Sequence, residues 1–215
     1  MGVFNNICPK LKEVIFRNST TLTYYKGEDL CKQAAYAPQV LYLNKGLAKL
    51  YLQHRGRNLI LRLIGENDFV GLPITTSDNS YYPYSVTALE ECGITAIDAL
   101  NFKEALNMDN NFAQSIIDLQ NKYTRIYFKH FLSITQKQLH GRVADTILHL
   151  ACDVHKQQKF QLLLTRKDLA EFSGMSTESV IRILREFHND RIINIDGKEI
   201  EIISYELLKK LSEIG

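Results

Sequence analysis

Residues 165–187, TRKDLAEFSGMSTESVIRILREF, constrain the fold more than any other stretch. Apolar positions recur at helical spacing on both sides of Ser173-Gly174-Met175, so two short amphipathic helices meet across a tight break. Thr165 with Asp168 three residues on has capping-box spacing, and Ser176 can cap the second helix. That second helix carries Thr177, Glu178 and Arg182 in its first two turns. A helix offering Glu and Arg from its N-terminal half can reach base edges in the major groove. At four residues apart, Glu178 and Arg182 share one face and can brace each other. A surface ion pair is the plain alternative for these two side chains.

The stretch sits in a chain of 215 residues, enough for one large or two small domains. The net charge of only +2 counts against a purely electrostatic nucleic-acid binder but little against a specific one, since one helix can supply a local patch. Cys8, Cys31, Cys92 and Cys152 are far apart and form no C-x-x-C, which argues against a disulfide framework and against an iron–sulfur site. No signal peptide is evident, and no apolar run approaches the ~18 residues of a membrane span. The protein is therefore expected in the cytoplasm, with no membrane partner.

Upstream, residues 1–16 read as a short helical lead-in. From Thr20 to Asp98, strand-length apolar runs alternate with glycine turns, the pattern of a β-barrel or jelly roll. Val40–Leu43 and Leu47–Leu52 flank Asn44-Lys45-Gly46 and predict a hairpin. Further strands are expected at 58–64, 84–89 and 94–97. After Phe102 the chain turns helical. Phe112, Ile116, Leu119, Tyr123, Ile126 and His130 follow at spacings of 4, 3, 4, 3 and 4, an apolar seam suited to a second copy of the chain. Residues 135–141 are polar with a glycine and read as a hinge. An amphipathic helix over 142–155 and a strand over 160–164 precede the two-helix stretch. Ile192–Ile195, Asp196-Gly197 and Glu199–Ile203 then predict a β-hairpin wing, and Ser204 a cap for a last helix.

This order of elements resembles the cAMP receptor protein/FNR superfamily of bacterial transcription regulators. The resemblance is carried by YLNKGLAKLYL (42–52), by GENDFVGL (65–72), which has two extra residues before Phe69, by GRVADTILHLA (141–151), and by 165–187. It implies an α+β chain in three parts: a cyclic-nucleotide-binding-like jelly roll (1–108), a dimerisation helix and hinge (109–138), and a winged helix-turn-helix (139–215). It implies a homodimer on double-stranded DNA, with RNA polymerase as a further partner. The family's Glu and Arg that read a TGA half-site fall on Glu178 and Arg182. A carboxylate accepts from the cytosine N4 amino group and a guanidinium donates to guanine O6 and N7. Thr177 stands where the cAMP receptor protein has a further base-reading Arg, and Ile181 where FNR-like proteins have a base-contacting Ser. Arg166, Ser176, Ser179 and Arg185 are the candidates for the DNA backbone, where contacts position without specifying.

The resemblance also bears on the effector. Leu72 stands where the family has the Glu that holds the ribose, and Tyr82-Pro83 near the Arg-Ser pair that holds the cyclic phosphate. Tyr82-Pro83 brings no positive charge, and Pro83 has no N–H. Tyr127 and Phe128 replace small hydroxyl residues and are expected to fill the adenine space. The chain is expected not to bind cAMP; its effector, if any, is an unknown small molecule, and no cofactor is predicted. Haem ligation by His54, His130 or Cys31 has no further support.

Two other readings start from the same residues. A regulator without an effector would be controlled by its expression level or by a protein partner. A cupin-like metalloenzyme would need clustered His and carboxylate ligands, yet His54 is the only histidine in the barrel region. No metal site and no enzymatic activity are expected.

Overall fold

The computed structural model describes residues 3–4, 7–75 and 81–215. Of the predicted helical lead-in, α1 (Pro9–Phe16) forms, with proline in its first turn where a missing N–H is harmless; residues 1, 2, 5 and 6 lie outside the described ones. The β-rich region that follows contains β1 (Thr20–Tyr24), β2 (Asp29–Cys31), β3 (Gln39–Lys45), β4 (Ala48–His54), β5 (Arg57–Ile64), β6 (Phe69–Val70), β7 (Ser85–Ala88) and β8 (Cys92–Asp98). They form two four-stranded sheets, ordered β1-β8-β3-β6 and β2-β7-β4-β5. In the first sheet Val40, Leu41 and Leu43 lie opposite Ile97, Ala96 and Ile94, and all six are buried.

One strand pairing differs from expectation. β3 and β4 follow each other across Asn44-Lys45-Gly46 but lie in different sheets, so they are no hairpin. Gly46, at φ +94°, turns the chain from one sheet to the other, close to the Glu91 carbonyl and Cys92. The tight hairpin is β4–β5, closed by Arg55-Gly56 with positive φ at both residues, as two-residue turns of strongly twisted strands require.

Asp98 ends β8 and caps α2 (Ala99–Met108) by accepting from the Leu100 and Asn101 N–H groups. The long helix α3 (Asn110–Gln136) follows. The chain divides into two compact units, one of Met1–Asn58 with Arg62–Ile126, the other of Leu59–Leu61 with Tyr127–Gly215.

In the second unit, α4 (Leu139–His149) continues into one π-helical turn (Leu150–Val154). Then come β9 (Lys159–Gln161), α5 (Arg166–Ser173), α6 (Thr177–Asn189), β10 (Ile193–Asp196), β11 (Glu199–Ile202) and α7 (Tyr205–Ile214). The predicted hinge contracts to Lys137-Gln138, because α3 reaches Gln136 and α4 begins at Leu139. Even this break is pinned: Lys137 Nζ lies 2.9 Å from Asp145, and Arg142 Nε donates to the Lys137 carbonyl at 2.8 Å. The wing forms as a β10–β11 hairpin with β9 on its outer side. Ser204 stands at the start of α7 but its side chain makes no capping bond. Among the described residues no helix is long and apolar enough to cross a membrane.

Candidate functional site

The helix pair is built as its sequence dictates. Thr165 Oγ1 accepts from the Asp168 N–H at 3.1 Å, and Asp168 Oδ2 accepts from the Thr165 N–H at 2.8 Å, a complete capping box for α5. Gly174 closes α5 in the left-handed region at φ 62°, where glycine carries no Cβ penalty. Ser176 Oγ then accepts from the Ser179 N–H at 3.2 Å and starts α6. Val180, Ile183, Leu184 and Phe187 bury one face of α6. The other face leaves Glu178, Arg182 and Arg185 exposed.

The expected brace between Glu178 and Arg182 is absent. Glu178 hydrogen-bonds its own backbone N–H and then the Ser176 hydroxyl, and these bonds hold its carboxyl below the usual range. The unpaired amides of a first helical turn attract a carboxylate in this way. Arg182 instead pairs one turn onward: its Nη1 donates to Glu186 Oε1 at 2.7 Å. Glu186 Oε2 in turn meets His140 Nε2 of α4, also at 2.7 Å. Sequence reasoning passed over Glu186 and His140, although Glu186 stands four residues after Arg182 and so shares its face.

The remaining candidates around α6 are less uniform. Thr177, Ser179 and Ile181 are half-buried. Ser176 is exposed, and its hydroxyl lies 3.1 Å from Ser179 Oγ as well as beside the Glu178 carboxyl. Arg166 is half-buried, its Nη1 has no hydrogen-bond partner among the described residues, and burial lowers its pKa.

In the barrel, Leu72 is only 3% exposed. Tyr82 is buried and its hydroxyl donates to the Gln39 carbonyl at 2.8 Å, while Pro83 is exposed. The Gly71 N–H donates to the Tyr84 hydroxyl at 2.9 Å. Burial pushes the Cys31 thiol up to about 12, far from thiolate chemistry at neutral pH. Tyr127 is half-buried. Phe128 corrects an expectation: at 70% exposed it fills no space within its own chain.

The helical seam needs a larger correction. Phe112, Ile116 and Tyr123 are buried inside their own chain, leaving no surface for a partner. Phe112 packs edge-on against Phe102 with ring centroids 5.6 Å apart. Tyr123 donates to Asp68 Oδ1 at 2.8 Å and accepts from the Phe69 N–H at 3.2 Å. Leu119 and Ile126 are half-buried. His130 stacks on Phe172 of α5, with centroids 4.7 Å apart. A neighbouring stripe on α3 is open along its length: Ile117, Asn121, Thr124, Phe128, Phe131 and Thr135 are all exposed. It has the same 4, 3, 4, 3, 4 spacing, and Phe131 is 64% exposed.

Sequence reasoning also passed over a buried ion pair. Arg62, 3% exposed on β5, lies 3.0 Å from Asp68 Oδ2 and 3.7 Å above the Tyr123 ring. An arginine inside the apolar run LILRLI was the available signal.

Residues 21–109 match the cyclic nucleotide-binding domain family, and residues 141–211 the Crp-like helix-turn-helix domain family. The chain belongs to the Crp/Fnr family of transcriptional regulators. The cAMP-activated global transcriptional regulator CRP of Pasteurella multocida is 27% identical over 175 residues, covering 77% of this chain and 81% of its own. The transcriptional activator protein anr of Pseudomonas aeruginosa is 24% identical, covering 83% and 74%. Among solved structures, FixK2 from Bradyrhizobium japonicum superposes with a TM-score of 0.81 at 21% identity, covering 90% of this chain and 96% of that one. This Crp/Fnr protein is thus a DNA-binding transcription regulator with a β-rich domain of the cyclic nucleotide-binding family, a long helix and a C-terminal winged helix-turn-helix.

Proposed function

We propose that this regulator acts as a homodimer, reads a TGA…TCA palindrome through Glu178 and Arg182, and does not respond to cAMP. The observation that carries the reading is the solvent-facing N-terminal half of α6, capped by Ser176, with Glu178 and Arg182 both exposed. Those are the two side-chain types that read C·G and G·C edges. Dimerisation is supported by the exposed stripe with Phe128 and Phe131, large aromatic surface of the kind that monomers seldom leave in water. Two copies would set two recognition helices about 34 Å apart, one per half-site. A shift of α3 at Lys137-Gln138 would change that spacing.

Kinship with cAMP-activated proteins does not carry cAMP over to this chain, because the residues differ. Leu72 cannot hold a ribose hydroxyl, and Tyr82-Pro83 offers a cyclic phosphate no cation. The Gly71 N–H, next to Leu72, is taken by the Tyr84 hydroxyl. These internal bonds also favour a second reading, in which the barrel takes no small molecule and control comes from expression level or a protein partner.

Selection of bound sequences from a random duplex library, with purified protein and no ligand, tests the reading. Enrichment of a TGA…TCA palindrome is expected. Enrichment of an unrelated motif would overturn the Glu178/Arg182 code. Calorimetric titration with cAMP should show no binding; saturable binding would overturn that part.

A further inference from the structure

We infer that Glu186, held by His140, is a positioning residue for Arg182, fixing the guanidinium through which α6 discriminates guanine. The inference rests on the proposed base-reading role of Arg182. Both Glu186 oxygens are engaged: Oε1 accepts from Arg182 Nη1 and Oε2 meets His140 Nε2, each at 2.7 Å. A carboxylate tied at both oxygens cannot rotate freely, and one of its ties comes from a different helix. Glu186 is kept ionised below the usual range, by the His140 hydrogen bond first and the Arg182 bond after it.

The geometry suits Arg182 in a particular way. A guanidinium carries five N–H donors in a fixed fork, and the bond to Glu186 uses one Nη1 hydrogen. Donors remain for a paired contact to guanine O6 and N7. An arginine without a brace must lose its rotamer freedom on docking; a braced one has lost part of it already. Glu178 cannot be that brace, since its carboxylate turns back on the helix N-terminus. His140 lies in the first turn of α4, directly after the Lys137-Gln138 break. The base-reading arginine is therefore linked through two hydrogen bonds to the point where the DNA-binding unit leaves the long helix.

The test uses full-length protein on a TGA…TCA duplex and on the same duplex with each reading guanine replaced by adenine. Glu186→Ala should lower the discrimination between the two by about fivefold, the upper range for an exposed pair. Binding to unrelated duplex should stay equal or tighten, because a negative charge has left. Glu186→Gln, which keeps an acceptor, should recover part of the loss, and His140→Gln should do better than His140→Ala. In an Arg182→Ala background, Glu186→Ala should change discrimination no further. An unchanged discrimination in Glu186→Ala, or the same loss with Arg182 already gone, would overturn the positioning role. If Arg182→Ala alone leaves discrimination intact, the base-reading role itself has failed, and the inference falls with it.

Discussion

The Tyr123 hydroxyl donates to Asp68 Oδ1 at 2.8 Å, while the other oxygen of Asp68 pairs with the buried Arg62. The first half of α3 is thereby fastened to the turn that leads into β6, and the Arg62 guanidinium over the Tyr123 ring adds a cation–π contact. A buried charge is tolerable only when its partners are complete. Tyr123→Phe removes one partner of Asp68 and leaves the Phe69 N–H without its acceptor. It should lower stability by about 1–3 kcal/mol in chemical denaturation. The mass by light scattering should not change. A monomeric variant of unchanged stability would return Tyr123 to the dimer seam.

Gly46 makes a sharper demand on the backbone. At φ +94°, an added Cβ would run into the Glu91 carbonyl oxygen and come within 2.9 Å of Cys92 Sγ. Gly46→Ala should therefore destabilise the protein by about 2–4 kcal/mol, combining backbone strain with overpacking. Gly56→Ala is the control, because nothing lies within 4 Å of its Cβ position. It carries backbone strain alone, so equal melting shifts for the two would show that the crowding at Gly46 is relieved cheaply.

What the sequence made legible was mostly local. The capping box at Thr165, the left-handed Gly174 and the wing hairpin are set by residues within a few positions of each other, and all three stand in the structure, with the wing turn one residue later than expected, at Gly197-Lys198. What it hid was choice among equivalent local options. Asn44-Lys45-Gly46 signals a turn, yet whether the strands beside it pair depends on β8 and β7, both far along the chain. Helix α3 carries two stripes with one spacing, and only packing on Phe102 and Asp68 decides that the stripe with Phe112 and Tyr123 faces inward. Arg182 has an acid four residues to either side. The free amides at the start of α6 claim Glu178, and Arg182 is left to Glu186.

His130 gives the stability a pH dependence of definite sign. Burial against Phe172 pushes its pKa down to about 4 from the ordinary 6.5, with His149 of α4 adding to the effect. The Ile60 backbone and Asp145 oppose it. Between these two values the unfolded chain binds a proton that the folded chain refuses. Stability should rise with pH through that window, be complete above pH 6.5, and fall as pH drops toward 4. The full effect is on the order of 3 kcal/mol. Urea midpoints at pH 4.5 and 7 check it: His130→Phe, which keeps the stacking, should flatten the difference. A variant with the wild-type slope would assign the dependence to other groups.

The exposed stripe of α3 supplies the last prediction. Phe128 and Phe131 lie one helical turn apart and each leaves most of its surface in water in the single chain. Neither takes part in its own chain's core, so a charge at either position should leave the fold intact. Placed on a symmetric helix seam, the same charge would meet its own copy or the partner's apolar surface at close range, at a cost of several kcal/mol of association free energy. Phe128→Glu and Phe131→Glu should each give a monomer by light scattering with an unchanged circular dichroism spectrum. Palindrome binding should weaken far more than binding to a single half-site, since the two recognition helices would no longer be tethered. A dimer that survives both changes would mean that the chains associate through another surface.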